Sequence, residues 1–369
     1  MSKKNIKMLT RPALNRLKAY TPGLSIGEMN EELTQLSSNE NPLGVSPLAR
    51  KAMAQHLSQL NRYPDSNTTR LRETIAKQYN LQPNQVIIGN GADELITLIS
   101  ETFLNEEDEV IIPTPSFSEY DFGANLMGAT IIHVSLTKDY QYDLDLILHH
   151  VTTKTKIIYL CSPNNPTGTY IKKADLDSFF QKTPQDIIVV FDGAYSQYAI
   201  ADDYTNGIEY VEMGKKIVVL QTFSKIYGLA GIRVGMGISS SEIVACIHKV
   251  REPYNVNQLA QIAAEAAIRD IQHVEASREM NEEGRQYLYR AFEELDVSYI
   301  KTMSNFIFVH VGTDAKRIYE KLIHKGVMVR FGGVWGLSDY LRITIGLKSE
   351  NQLLIAALKE IMNEIDESI

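Results

Sequence analysis

Lys225 stands eight positions before Arg233 (233 minus 225) in the stretch "QTFSKIYGLAGIRVG", residues Gln221 to Gly235. A β-branched run, Ile217–Leu220, precedes it, and Gly228, Gly231, Gly235 and Gly237 follow. Glycines after a strand let the backbone approach a ligand closely. A lysine in such a place is either a surface cation or a desolvated amine with chemistry to perform. Thr222 and Ser224 add hydroxyls, and the fork of Arg233 matches phosphate oxygens. Three further clusters carry suitable groups. "GNGADE" (Gly89–Glu94) joins glycines to a helix start, whose free amides favour an anion; it also reads as a plain turn with Asp93 as N-cap. "SPNNPTG" (Ser162–Gly168) is a rigid turn able to aim the amide of Asn165. "FDGAY" (Phe191–Tyr195) ends an apolar run with Asp192, which needs a donor or a cation when buried, and offers the phenol of Tyr195.

Each cluster follows a predicted strand. Short apolar runs at "VIIG", "EVIIP", "ATIIHVSL", "KIIYLCSP", "DIIVV" and "KIVVLQTFS" alternate with amphipathic helical segments such as "ADELITLISETF". Solidly apolar strands separated by helices signal a mostly parallel sheet covered on both faces. Ligands bind beyond the carboxyl ends of such strands. After Asn257 the pattern changes: a long helical stretch covers about Gln258–Leu295, and strands follow at "NFIFVHV", "VMVRF" and "YLRITIG". The expected fold is α/β, with a large domain over 46–256 and a smaller α+β domain made of 257–369 together with 1–45. An anion cradle, a buried carboxylate, an amide, a phenol and a desolvated lysine at the strand ends of one sheet describe a pocket for pyridoxal phosphate. The lysine would form its Schiff base and the acid would sit on the pyridine nitrogen.

The totals set outer limits. The chain has 369 residues, more than one ordinary core holds. Forty-four per cent hydrophobic and 22% charged residues suit a folded globule. A net charge of −8 speaks against nucleic acid as a partner. Two cysteines form no disulfide framework, which fits a reducing cytoplasm. No apolar run nears the roughly 18 residues of a membrane span, and no metal is expected.

Taken together, "NENPLG", "NRYPD", "GNGADE", "SPNNPTG", "SKIYGLAGIRVG", "REPYNVN" and "LRITIG" resemble the fold-type I pyridoxal-phosphate aminotransferases. "NENP", "RYPD" and "REPYNVN" favour the histidinol-phosphate group within that family. By this resemblance Lys225 carries the cofactor, Asp192 keeps its pyridine nitrogen protonated, and Asn165 and Tyr195 bond its 3′-oxygen. Gly91, Ala92, Asp93, Thr222, Ser224 and Arg233 would seat its phosphate, Asp93 acting as a cap that orients the amides. Tyr120 is placed as the aromatic stacked on the pyridine ring, a core aromatic being the other reading. Tyr63 is placed on the cofactor phosphate of a neighbouring subunit, which implies a homodimer with shared active sites. Tyr20, Asn41, Asn165, Arg330 and Arg342 are the implied substrate contacts, although Arg330 also reads as a strand-end surface charge. Where the family has Asp-Glu-Ala-Tyr this chain has Asp192-Gly193-Ala194-Tyr195.

The implied reaction interconverts L-histidinol phosphate and 2-oxoglutarate with imidazole-acetol phosphate and L-glutamate, in histidine biosynthesis. Lys225 must then be neutral at work, so desolvation and Arg233 are expected to bring its pKa from about 10.4 toward about 7. Other readings are an aromatic-amino-acid transaminase of the same fold, a threonine-phosphate decarboxylase, and, from a different class, a non-catalytic domain that only senses the cofactor. The intact Lys225, Asp192 and Arg233 weigh against the last.

Overall fold

The computed structural model describes residues 10–17 and 33–366. Among the described residues the strands are β1 Thr34–Gln35, β2 Val86–Gly89, β3 Glu109–Thr114, β4 Thr130–Ser135, β5 Thr155–Cys161, β6 Ile188–Asp192 and β7 Ile217–Thr222, then β8 Gly235–Ile238, β9 Ser298–Ile300, β10 Phe306–His310, β11 Val327–Met328, β12 Arg330–Phe331 and β13 Tyr340–Thr344. Seven form one sheet in the order β2-β8-β7-β6-β5-β3-β4. Strands β3 to β7 pair in parallel, and β8 runs antiparallel between β7 and β2.

The central strands β3, β5, β6 and β7 are buried on both faces, which is why they read as apolar runs. Along β5 the alternation sends Ile158 and Leu160 to one core cluster and Ile157, Tyr159 and Cys161 to the other. β6 repeats the split, with Val189 and Phe191 on one face and Ile188 and Val190 on the other. Strand β8, "GMGI", is an element that the glycine pattern concealed. Its glycines serve strand packing, since a Cβ at Gly235 would stand 2.5 Å from the amide nitrogen of Ala92.

A four-stranded antiparallel sheet, β12-β13-β10-β9, lies apart with its own core of Ile307, Val309, Leu341 and Ile343 under the helices Ala315–His324 and Lys348–Asp366. β1 pairs in parallel with β11, and Leu36 enters that core, so residues 34–36 are tied to the smaller domain. Arg11 and Arg16, expected with them, instead donate to the Leu126 and Gly128 carbonyls of the larger domain. The expected long helix is two: Gln258–Ala267 and Ile271–Glu294. They part at Asp270, whose carboxylate accepts from the His273 amide and the Ser46 hydroxyl. Ala260, Ala263, Ala264 and Ala267 of the first pack into the core of the larger sheet. No helix among the described residues is long and apolar enough to cross a membrane.

Candidate active site

The carboxyl ends of β5, β6 and β7 open onto a cavity of about 1060 Å³, closed from the opposite side by β12, β13 and the segment Ser37–Glu40. Lys225, three residues beyond β7, lines it, and its Nζ donates to the Ser38 carbonyl at 2.9 Å. Burial lowers the pKa of this amine to about 8; Arg342 pushes the same way, Glu40 and Asp93 oppose, and Arg233 adds less. The cation that acts most on the lysine is therefore Arg342, where Arg233 was expected.

Asp192 ends β6 and is buried. Its Oδ1 accepts from the Ala194 amide at 3.0 Å and its Oδ2 from the Tyr120 hydroxyl at 2.6 Å. Burial still raises this carboxyl to about 6, against the pull of those two donors. Tyr195 borders the cavity, and its hydroxyl accepts from Asn39 Nδ2 at 2.9 Å. Asn165 borders it as well, with Oδ1 accepting from Arg342 Nη1 at 2.6 Å.

At one end, Thr222, Ser224, Ala92, Asp93 and Arg233 meet. Arg233 adopts the left-handed backbone region (φ 58°), a strained setting common at functional sites. Its Nη1 donates to the Ser224 hydroxyl at 3.4 Å and its Nη2 pairs with Asp93 Oδ2 at 3.0 Å. Asp93 thus orients the guanidinium and is not the expected cap: the N-cap position of the helix Ala92–Phe103 is Gly91, and no side chain bonds there. Gly91 has φ +87°, and a Cβ on it would stand 2.5 Å from Arg233 Nη2, so only glycine lets that guanidinium close in.

At the other end stand Arg330 and Arg342, direct partners on the neighbouring strands β12 and β13. Arg342 is buried, and its Nη2 donates to the Ser37 carbonyl at 2.6 Å.

Two expected contacts fall elsewhere. Tyr120 does not border the cavity: it is wholly buried, stacked on Tyr159 with centroids 4.4 Å apart, behind Asp192. Phe117, just before the helix Glu119–Met127, borders the cavity in its stead. Asn41 is turned away, its Nδ2 donating to the Ile226 carbonyl and the Ser277 hydroxyl, and the first asparagine of "NENP", Asn39, faces the site. Tyr63 is 82% exposed and stacks on Tyr254, away from this chain's cavity. Tyr20 lies outside the described residues. Sequence reading missed Asn39, Phe117 and Trp335; the last, the chain's single tryptophan set between glycines, carried the clearest signal.

Gly193 packs tightly. Its amide donates to the Leu220 carbonyl at 2.8 Å, and a Cβ there would stand 3.3 Å from that oxygen and from Ser196 Oγ.

The chain is 44% identical over 358 residues to the histidinol-phosphate aminotransferase of Moorella thermoacetica, covering 95% of this chain and 92% of that one. It is 42% identical over 357 residues to the enzyme of that name from Caldicellulosiruptor saccharolyticus, covering 95% and 99%. Its fold matches the crystal structure of histidinol-phosphate aminotransferase from Sinorhizobium meliloti in complex with pyridoxal 5′-phosphate, with a TM-score of 0.89, 24% identity and coverage of 96% and 98%. The family described as aminotransferase class I and II matches residues 31–358, so this chain, a fold-type I α/β protein, belongs to the aminotransferase class I and II family.

Proposed function

We propose that this chain is a pyridoxal-phosphate-dependent aminotransferase that interconverts L-histidinol phosphate and 2-oxoglutarate with imidazole-acetol phosphate and L-glutamate, a step of histidine biosynthesis. The donor set fits the cofactor: an amine, a buried carboxylate and a hydroxyl-guanidinium cradle border one cavity, and only glycine fits at position 91. When bound, pyridoxal phosphate supplies an electron sink for the charge left when the substrate loses its α-proton.

The residues of the chain divide the remaining work. Arg233, Ser224, Thr222 and the helix amides at Ala92 and Asp93 would seat the phosphate, the carboxylate of Asp93 being neutralised by Arg233. Asp192 would pair with a protonated ring nitrogen, and Asn165 and Tyr195 would orient the 3′-oxygen. Phe117, which borders the cavity, would cover the ring. With a pKa near 8, a useful fraction of Lys225 is neutral at pH 7 and can take and return the α-proton.

One observation carries the substrate: two guanidiniums, Arg330 and Arg342, pair across β12 and β13 at the cavity wall. Two arginines suit a phosphate dianion, and one suffices for the α-carboxylate of glutamate. The test is the half-reaction of the purified enzyme with histidinol phosphate, phenylalanine, tyrosine and threonine phosphate, followed by cofactor absorbance. Preference for either aromatic amino acid, or decarboxylation of threonine phosphate, would overturn the reading.

We also infer a homodimer with shared active sites. The support is Tyr63, exposed and stacked on the half-exposed Tyr254, a few residues along the chain from the exposed Leu57 and Leu60. Apolar and aromatic groups grouped at a surface suit a partner. The two thiols, Cys161 and Cys246, are free, which suits a cytoplasmic enzyme. The packing of Gln258–Ala267 on the larger sheet supports two domains whose seam falls after that helix, later than residue 257.

A further inference from the structure

Arg342 is held by more than its hydrogen bonds. Its Cζ lies 5.3 Å from the ring centroid of Phe306 and 5.2 Å from that of Trp335. Phe306 sits on β10 beside β13, so sheet register supplies one ring. The other comes from outside the sheet, on the turn Gly332–Trp335 between β12 and β13.

That turn is fixed by its own backbone. The Gly336 amide donates to the Gly333 carbonyl at 3.1 Å and the Leu337 amide to the Gly332 carbonyl at 3.2 Å. Gly336 has φ +75°, and a Cβ on Gly332 would collide with the Leu337 carbonyl oxygen. Trp335 is braced in turn. Its ring meets Phe308 edge-on at 6.1 Å, Phe308 stacks on Tyr340 at 4.6 Å, and Tyr140, from beyond β4 of the larger sheet, abuts both. Trp335 also borders the cavity beside Arg330.

We propose that Trp335 is the positioning residue of the substrate-anion site, its indole covering Arg342 and holding the guanidinium plane edge-on to the incoming anion. Indole is the best aromatic partner of a guanidinium, and a ring against the cation excludes water from that side. Arginine offers its donors only in its plane, so fixing the plane fixes the direction from which a phosphate or carboxylate is accepted. Both partner substrates would depend on this, because both present an anion to Arg342.

The inference rests on the reading of Arg342 as the anion ligand, and the test separates the two. Steady-state kinetics of holoenzyme carrying Trp335→Ala or Trp335→Phe would be measured for histidinol phosphate and, separately, for glutamate. Trp335→Ala should raise KM for both substrates about tenfold, with kcat and the bound-cofactor spectrum close to wild type. Trp335→Phe, which keeps an aromatic face, should stay within about threefold of wild type. Melting temperature of each holoenzyme checks that the turn still folds. If wild type fails to use histidinol phosphate, the substrate reading falls, and the glutamate measurement still judges Trp335. An unchanged KM for glutamate in Trp335→Ala, a loss confined to kcat, or a Phe variant as impaired as the Ala variant overturns the proposal.

Discussion

The hydroxyl of Tyr120 donates to Oδ2 of Asp192 at 2.6 Å, in a place where both groups are buried. Tyr120 therefore acts behind the carboxylate, favouring its ionised form against burial. Tyr120→Phe removes the donor and leaves the ring that stacks on Tyr159. A hydrogen bond to a charged group is worth about 1.5 kcal/mol or more, so the carboxyl should rise by about one unit above its value near 6. At pH 8 both proteins are mostly ionised; at pH 6 the variant keeps roughly fivefold less carboxylate than wild type does. Cofactor dissociation constants at the two pH values should show that widening gap. An equal loss at pH 6 and pH 8 would mean that Tyr120 only packs.

Lys225 gives a second pH signature. Only the neutral amine condenses with an aldehyde, so the rate at which apoenzyme takes up pyridoxal phosphate should rise with pH and level off above about 8. Arg342→Met removes a positive charge that holds the amine's pKa down, which favours the ammonium form, so the midpoint should move to higher pH. Borohydride reduction followed by peptide mapping should place the label on Lys225. A wild-type rate still climbing steeply beyond pH 9, or label on another lysine, contradicts the assignment.

What could be read from the sequence follows from what sequence patterns encode. The parallel strands were legible because burial on both faces leaves uninterrupted apolar runs. The residues after β5, β6 and β7 that border the cavity were legible because polar groups ending such runs have few other reasons to be there. Strand β8 was hidden because glycine takes two of the four places in "GMGI"; Gly235 answers to backbone contact with Ala92 and Gly237 to the side chain of Ile87. The exchange of Tyr120 for Phe117 was not readable, since both are aromatic and only the start of the helix at Glu119 decides which one turns inward. The two asparagines of "NENP" pose the same difficulty. Asn39 takes the left-handed conformation (φ 57°) that aims it at Tyr195, and Asn41 is spent on Ile226 and Ser277.

If Tyr63 serves the partner subunit's site, two inactive proteins should rescue each other. Lys225→Ala lacks the amine, and Tyr63→Ala has weakened cofactor binding. In a mixed dimer of the two, one site carries both lesions and the other carries neither. Random pairing of equal amounts should restore wild-type kinetics to about a quarter of the sites. Subunit exchange followed by activity at limiting cofactor reads this directly. Activity no greater than the average of the two parents would place Tyr63 in its own chain's site or in none.

The two arginines decide the substrate. Each charge-assisted hydrogen bond to a phosphate is worth very roughly 1.5–3 kcal/mol, and 1.4 kcal/mol is about a factor of ten. Arg330→Ala should thus lower kcat/KM for histidinol phosphate by about tenfold to a hundredfold. Histidinol, which has no phosphate to offer, should lose far less. Arg342→Ala should impair histidinol phosphate and glutamate alike, because each brings an anion to that guanidinium, and the Asn165 and Ser37 bonds go with it. Phenylalanine, with a single carboxylate, should depend on Arg342 and hardly on Arg330. The comparison needs kcat/KM for histidinol phosphate, histidinol, glutamate and phenylalanine in wild type and both variants. An Arg330→Ala penalty that is equal for histidinol phosphate and histidinol would remove Arg330 from the phosphate, leaving its pairing with Arg342 across β12 and β13 a matter of sheet register alone.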